Sequence, residues 1–361
     1  MAIEWLAGNR LRGTSTERTS TSGFNPTTAV EGGWKELGRT TLGSASSTIT
    51  VSSLPDKRYY KVLTHITGQA SNSDVSIRLN GDTGSNYARR FSTNGGSDIA
   101  GTVTSLPYHY TDVAKTTPIF AMAYLANKSD KEKLSISHGV RQTGTTSGAP
   151  SRFESVGKWA NTSNAINEIQ VLGSTNFNSG SECVVLGWDP DDTHTSNFWE
   201  ELASVTNSGG STNNFNTGAF TAKKYLWVQA YVVADGLVEP RIRVGTGGSI
   251  DTGTNIASRT SSNGGADGTA TSRDDMVVTI SSLSVNHYIN MFMINNTSNE
   301  KLAIHNSVNE STVGAATAPQ RREGVSKYAN TSAQVNILEI EDNAVSTGIA
   351  DGTIIKVWGS D

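Results

Sequence analysis

Six histidines and a few oxygen-rich turns are the parts of this chain that could support acid–base chemistry or bind a metal. No pair of histidines has the spacing of a metal site or of a base with its nucleophile. The six are His65, His109, His138, His194, His287 and His305. No phosphate-binding loop or nucleophile elbow is present, and the Gly-Gly and Asn-Gly pairs are typical of hairpin turns. The sequence therefore predicts a protein that is not an enzyme.

The segment from Asn80 to Asn86 is the most calcium-like stretch, because Asn80, Asp82 and Asn86 supply oxygen atoms close together in the chain. It lacks the closing glutamate of an EF-hand loop. The alternative is an Asx-type turn, in which Asp82 and Asn86 accept hydrogen bonds from backbone N–H groups. Apart from this calcium alternative, we predict no cofactor.

Aromatic residues are the second group that could bind a ligand, because sugars stack on exposed aromatic rings. Trp159 and Tyr328 follow equivalent lysines in the two halves of the chain, which indicates core positions. Tyr87, Tyr108 and Tyr110 are placed in predicted loops and are the candidates for glycan contact. The alternative is that these loop tyrosines cover one end of the fold.

The elements that must position these residues are β-strands. Segments such as Tyr60–Ile66 and Asp74–Leu79 have alternating or β-branched character and are bounded by Gly, Ser, Asn or Pro. About seven or eight such strands in roughly 160 residues is typical of a β-sandwich. We therefore predict an all-β fold of two tandem antiparallel β-sandwich domains, jelly-roll-like in topology, with an immunoglobulin-like strand order as the alternative.

Two domains are predicted because the sequence repeats itself in order. Trp34–Leu37 recurs as Trp199–Leu202, and Lys158–Ser163 recurs as Lys327–Ser332. An internal duplication gives each repeat a comfortable size for its own core. The predicted divisions are an N-terminal arm (1–33), a first β-sandwich repeat (34–188), a linker (189–198) and a second repeat (199–361).

The predicted arm begins with the apolar residues Ile3, Trp5 and Leu6 and continues as a Ser/Thr/Gly-rich stretch. Alone, such a segment is expected to be disordered. We therefore expect it either to lie on a neighbouring subunit, as an assembly contact, or to pack on its own sandwich.

Charged residues recur at equivalent places before matching strands. Arg152 and Glu154 in the first repeat correspond to Arg321 and Glu323 in the second. They are candidates for salt bridges between the domains or between subunits, and the alternative is a solvated edge.

Composition narrows the class of partner. A formal net charge of −4 and a sequence pI of about 5.9 provide no overall basic field, so we expect no nucleic-acid partner. The single cysteine, Cys183, excludes an intramolecular disulfide. No stretch approaches the roughly 20 apolar residues of a membrane span, and the first residues lack the pattern of an export signal. We expect no membrane partner.

The ends of the repeats carry a resemblance to a known family. The motifs are the turn from Asn80 to Tyr87, the segment from Trp159 to Ile169, and the terminal turn and strand from Ser179 to Gly187. Together they resemble a repeated β-sandwich module of structural proteins in tailed bacteriophages and marine viruses. In the second repeat, the segment from Ile349 to Gly352 replaces the Ser-Gly-Ser turn.

The resemblance implies a non-enzymatic virion structural protein at the particle surface, as a capsid, decoration or tail-associated component. We expect a homo-oligomer, a trimer or larger, that also contacts other virion proteins. Alternatives are a double jelly-roll major capsid protein and a module that binds host glycans or a receptor. A glycan-degrading enzyme is a further alternative, for which no motif is present.

Overall fold

The computed structural model describes residues 34–109, 116–143, 148–189, 198–279, 283–312, 317–344 and 348–361. All regular elements in these ranges are β-strands. No helix within them is long and apolar enough to cross a membrane. The predicted arm at 1–33, with Ile3, Trp5 and Leu6, falls outside the described residues, as does most of the predicted linker.

Two series of strands follow one another along the chain. The first is β1 (Lys35–Thr41), β2 (Ser46–Val51), β3 (Tyr59–Ile66), β4 (Val75–Leu79), β5 (Tyr87–Thr93), β6 (Ile99–Val103), β7 (Leu106–His109), β8 (Ile119–Ala126), β9 (Lys133–Arg141), β10 (Ser151–Trp159), β11 (Ile169–Phe177) and β12 (Glu182–Trp188). The second is β13 (Glu200–Thr206), β14 (Asn214–Asn216), β15 (Tyr225–Val232), β16 (Pro240–Thr246), β17 (Ser249–Ile250), β18 (Ile256–Ser262), β19 (Gly268–Arg273), β20 (His287–Ile294), β21 (Lys301–Asn309), β22 (Gln320–Tyr328), β23 (Ile337–Asp342) and β24 (Ile354–Ser360).

In the first half, an eight-stranded sheet faces a four-stranded sheet. The strand orders are β1-β12-β3-β8-β9-β10-β5-β6 and β2-β11-β4-β7, and the neighbouring strands are antiparallel. Strand β4 shows why they pack: Val75, Ile77 and Leu79 point into the core, while the residues between them point away. The core between the sheets also contains Cys183, and burial raises the pKa of its thiol to about 12.

In the second half, the large sheet has the corresponding order β13-β24-β15-β20-β21-β22-β18-β19, and the small sheet has the order β14-β23-β16-β17. The small sheets differ at one edge. In the first half β7 pairs with β4, whereas the corresponding contact in the second half is a single bridge between Ile242 and Met276. The prediction of an all-β fold built from antiparallel sheets is confirmed.

Candidate functional site

The two halves meet through the outer faces of their eight-stranded sheets, which point away from the sandwich cores. Apolar side chains of both sheets form a third buried cluster there. The first half contributes Leu63, Phe120, Met122, Val140, Val184 and Leu186. The second contributes Phe198, Trp199, Tyr225, Phe292, Ile294, Leu302, Ile304 and Val325. Removing this apolar surface from water holds the halves together.

The halves do not bury equivalent ends of these faces. One cross-strand row of the first half is buried, and its members are Glu182, His65, Phe120, Val140 and Arg152. The residues at the same places in the second half are exposed or nearly so, namely Ile354, Tyr231, Tyr288, Val308 and Arg321. The contact between the halves is therefore asymmetric.

At the far end of the faces the relation is reversed. Tyr59 and Leu134 of the first half are 38% and 57% exposed. Their counterparts in the second half, Tyr225 and Leu302, are buried against the first half. Each half therefore exposes one end of its outer face, and the corresponding end of the other half's face is buried in the contact.

Glu182 anchors one side of this contact. Its carboxylate accepts hydrogen bonds from the Tyr225 hydroxyl at 2.7 Å, the Lys224 ammonium at 2.9 Å and the Thr41 hydroxyl at 2.6 Å. Burial alone would raise the pKa of Glu182, but these three hydrogen bonds outweigh it and lower the pKa below its usual value. Glu182 is therefore held as a carboxylate between the halves.

Arg152 anchors the other side. Its Nε donates to Asp267 of the second half at 3.1 Å, and its guanidinium also pairs with Glu154 and lies 3.9 Å from Glu323. Gly95 allows the close approach: it has a φ of +69°, and a Cβ atom there would lie 2.5 Å from Oδ1 of Asp267. These charges form a buried pair with two partly buried carboxylates beside it.

Lys61 lies on β3, four residues from His65 and on the same outer face, and it is surrounded by aromatic rings. Its ammonium is 3.5 Å from the centre of the Phe292 ring, 5.1 Å from that of Tyr124 and 5.3 Å from that of Trp199. No carboxylate of the described residues pairs with it. Burial lowers the pKa of Lys61 well below its usual value, while the rings favour the charged form.

A cleft of about 460 Å³ opens where the two outer faces separate beyond Lys61. Its aromatic walls are Trp34, Tyr124, Trp227, Tyr288 and Phe292. Its amide side chains are Gln229, Asn290 and Asn306. Two of these amides are oriented by the rings, because Trp227 Nε1 donates to Asn290 at 2.8 Å and Gln229 donates to the Tyr288 hydroxyl at 2.6 Å.

The predicted calcium ligands lie in a tight turn. Asp82 accepts a hydrogen bond from Gly84 N at 2.8 Å, from Asn86 Nδ2 at 3.0 Å and from Trp159 Nε1 at 2.7 Å. Asn80 points elsewhere: its oxygen accepts from the backbone N–H of Asn167 at 2.8 Å. The contact from Gly84 N is that of an Asx-type turn. A calcium ion held by Asn80, Asp82 and Asn86 stays an untested prediction. Among the described residues, no group of three or more His, Cys, Asp or Glu side chains could hold a metal ion.

The glycan-contact prediction is wrong for two of its three tyrosines. Tyr87 and Tyr108 are 1% and 0% exposed. The Tyr108 hydroxyl donates to the carbonyls of Val62 and Ala121, and that of Tyr87 donates to the carbonyl of Leu79. They are buried because these carbonyls give each hydroxyl a partner inside the fold. Tyr110 lies outside the described residues.

Of the predicted assembly residues, Arg152, Glu154 and Glu323 come together within one chain, at the contact between the halves. Arg321 pairs with Glu323 at the edge of this group, and its side chain is 57% exposed. For Arg152, the structure shows the salt bridge between the halves that was one of the predicted alternatives, because its guanidinium pairs with Asp267 of the second half. The aromatic cleft was missed, since its residues come from distant strands, although Lys61 stands out as a charge within an apolar run.

The two sequence comparisons found no match: neither a protein-family model nor a curated protein matches the chain. Among solved structures, the outer membrane protein OprG from Pseudomonas aeruginosa aligns at 7% identity over 84% of this chain and 98% of that chain, with a TM-score of 0.08. A score that low carries no information about the fold or the function of this chain.

Proposed function

We propose that this protein is a non-enzymatic structural component of a virion surface, which assembles by self-association and by contacts with other virion proteins. The virion setting rests on the resemblance of the repeat motifs to phage structural modules. Self-association rests on the outer faces of the large sheets. A capsid, decoration or tail-associated role would use these faces in the same way.

We further infer that the two halves arose by internal duplication. Their large sheets share one strand order, and their buried lysines share one set of partners. Lys133 donates to the carbonyls of Ser129, Lys131 and Asn161. Lys301 donates to the carbonyls at the matching places, those of Thr297, Asn299 and Asn330. Such detailed agreement is expected of two copies of one ancestral domain.

A jelly-roll topology is the reading that fits the strand order. In the first half, β1-β12-β3-β8 and β2-β11-β4-β7 form two facing groups of four. Along these eight strands the chain crosses from one group to the other at every step except that from β4 to β7. The hairpins β5-β6 and β9-β10 then extend one of the groups to eight strands. The double jelly-roll alternative for a capsid protein rests on this order.

The observation that carries self-association is where the exposed apolar residues lie. Most of the large apolar side chains that are exposed among the described residues are on the outer faces of the large sheets. They are Tyr59, Leu134, Ile136, Val156, Tyr231, Tyr288, Val308 and Ile354. Exposed apolar side chains grouped on one kind of surface mark sites of protein association.

Sedimentation of the full chain, with and without residues 1–33, tests the proposal. We expect a discrete oligomer or a larger assembly of the full chain. Dissociation on removal of the segment would mean that it ties subunits together, whereas an unchanged assembly would assign association to the sheets alone. A monomer at every concentration would contradict self-association.

Glycan binding is a second candidate function, and the aromatic cleft is the observation that favours it. Aromatic rings and amide side chains together are suited to stack on a sugar and to bond its hydroxyl groups. Lys61 also lines the cleft, and in its ammonium form it would favour an acidic sugar over a neutral one. Titration with sialyllactose and with lactose tests this candidate, with Asn290→Ala as the site variant and Leu237→Ala, an exposed position outside the cleft, as its control. Binding of neither sugar, or equal binding by both variants, would contradict it.

A further inference from the structure

We propose that a second copy of this chain docks on the exposed end of the second half's outer face, using the exposed end of its own first half. The second-half patch is Tyr231, Tyr288, Val308 and Ile354. The first-half patch is Tyr59, Leu134, Ile136 and Val156. This inference rests on the proposed self-association and names the surfaces that carry it.

The second-half patch is a continuous row across four neighbouring strands. Ile354 lies opposite Tyr231, Tyr231 opposite Tyr288, and Tyr288 opposite Val308. Their exposures lie between 36% and 44%. A row of two tyrosines and two aliphatic residues in direct cross-strand contact forms one apolar surface. It is continuous with the interface between the halves, because the same strands bury Tyr225, Phe292 and Ile304 against the first half.

The first-half patch lies at the opposite end of its own sheet. Ile136 pairs across the strands with Val156. Leu134 lies two residues before Ile136, on the same face of β9. These three side chains are 53%, 49% and 57% exposed. Tyr59 stacks on Trp188 at 5.4 Å at the edge of this region.

The contact inside one chain shows how the two patches would meet between chains. There, Phe120 of the first half packs against Tyr225 of the second, with ring centres 6.5 Å apart. The counterpart of Phe120 is Tyr288 in the second-half patch. The counterpart of Tyr225 is Tyr59 in the first-half patch. A second copy can therefore repeat the internal contact with the halves in exchanged roles.

Charge complementarity favours the same arrangement. Inside the chain, Arg152 of the first half binds Asp267 at the hairpin of the second half. Their counterparts, Arg321 and Asp98, both have exposed side chains. In the repeated contact, Arg321 of one copy faces Asp98 of the next. Because such a contact is head-to-tail, it either closes into a ring or extends as an open chain.

The test uses one variant for each patch in the full chain. The second-half variant carries Tyr231→Asp and Ile354→Asp, and the first-half variant carries Leu134→Asp and Val156→Asp. All four positions are exposed, so both variants should fold, which thermal unfolding checks. Leu237→Asp is the matched control, since Leu237 is 56% exposed but lies outside both patches.

In sedimentation, we expect each variant alone to be monomeric, with association weakened by at least about tenfold, while the control assembles like the unmodified chain. A mixture of the two variants should form a dimer and nothing larger, because each supplies the patch that the other has lost. Dimers formed by either variant alone, or no dimer in the mixture, would overturn the head-to-tail contact while leaving self-association standing.

Two other results concern the unmodified chain. A monomer that assembles only after residues 1–33 are removed would show that this segment covers a patch, and would overturn docking of a second full copy. A monomer under every condition would remove the proposed self-association itself.

Discussion

The two halves are alike inside and different outside. At the end of each small sheet, Asp82 accepts a hydrogen bond from Trp159 Nε1 at 2.7 Å, and Asp251 accepts one from the Tyr328 hydroxyl at 2.8 Å. The donor is an indole N–H in the first half and a phenol O–H in the second, but in both halves an aromatic side chain at the same place donates to the corresponding aspartate. On the outer faces, by contrast, the buried Glu182 of the first half corresponds to the exposed Ile354 of the second. The hydrogen bonds inside the two halves therefore agree, while the outer faces differ in which residues they bury.

The largest expected difference between the halves is at their equivalent arginines. Arg152→Met would leave Asp267, whose side chain is 2% exposed, as an unpaired charge, and should cost about 3–5 kcal/mol in the free energy of unfolding. Arg321→Met removes a solvent-exposed ion pair and should cost less than about 0.5 kcal/mol. Urea unfolding of both variants measures the difference, and equal losses would contradict the asymmetric contact.

Equal effects are expected where the halves agree. Asp82→Ala and Asp251→Ala each remove the partner of a buried donor, and each should cost about 1–3 kcal/mol in the free energy of unfolding. Asp130→Ala, which removes only surface ion pairs with Lys128 and Lys131, is the control and should change little. If one variant lost much stability and the other lost none, the corresponding hydrogen bonds would contribute differently to the stability of the two halves.

His65, whose counterpart in the second half is Tyr231, should make the stability of the chain depend on pH. Burial lowers the folded-state pKa of His65 to about 3, from an ordinary value of 6.5. Its contribution to stability is therefore complete above pH 6.5 and is lost as the pH falls towards 3. Between pH 7.5 and pH 5.5, His65→Phe should reduce the loss of stability by about 1.4 kcal/mol. Urea unfolding at the two pH values checks this, and an unchanged pH dependence would contradict it.

The smallest expected effect is at Lys61, whose counterpart is Trp227. Lys61→Met keeps the apolar stem and removes a buried cation without a carboxylate partner among the described residues. The variant should be as stable as the unmodified chain or more stable by about 1 kcal/mol. Thermal or urea unfolding measures it. A clear loss would mean that the aromatic rings stabilise the ammonium more than burial disfavours it.

Much of the fold could be predicted because strand signals are local. Alternating segments such as Val75–Leu79 fix which side chains face a core, and the repeated motifs indicate two similar halves. The order of the strands in each sheet could not be read, because pairing depends on contacts between distant segments. The sequence also does not predict that the described residues of the second half lack a strand like β7. Around Met276 the pairing is reduced to a single bridge with Ile242, and this depends on contacts between distant segments.

The sites were harder to predict for a specific reason. The sequence places Tyr108 in a predicted loop, yet backbone carbonyls from two other strands enclose its hydroxyl. Arg152 and Arg321 have similar sequence surroundings, and only the packing of the halves makes one buried and the other exposed. The Asx-type turn at Asp82 was foreseen as an alternative, because such turns involve residues adjacent in the chain.

The single cysteine gives this chain an internal reporter of its own unfolding. Cys183 lies in the first-half core with its thiol protonated, and a thiol reagent reacts with the thiolate. Labelling therefore requires β12 to separate from its neighbours. Because the second half contains no cysteine, the labelling rate of the unmodified protein measures the opening of the first half in the presence of the second.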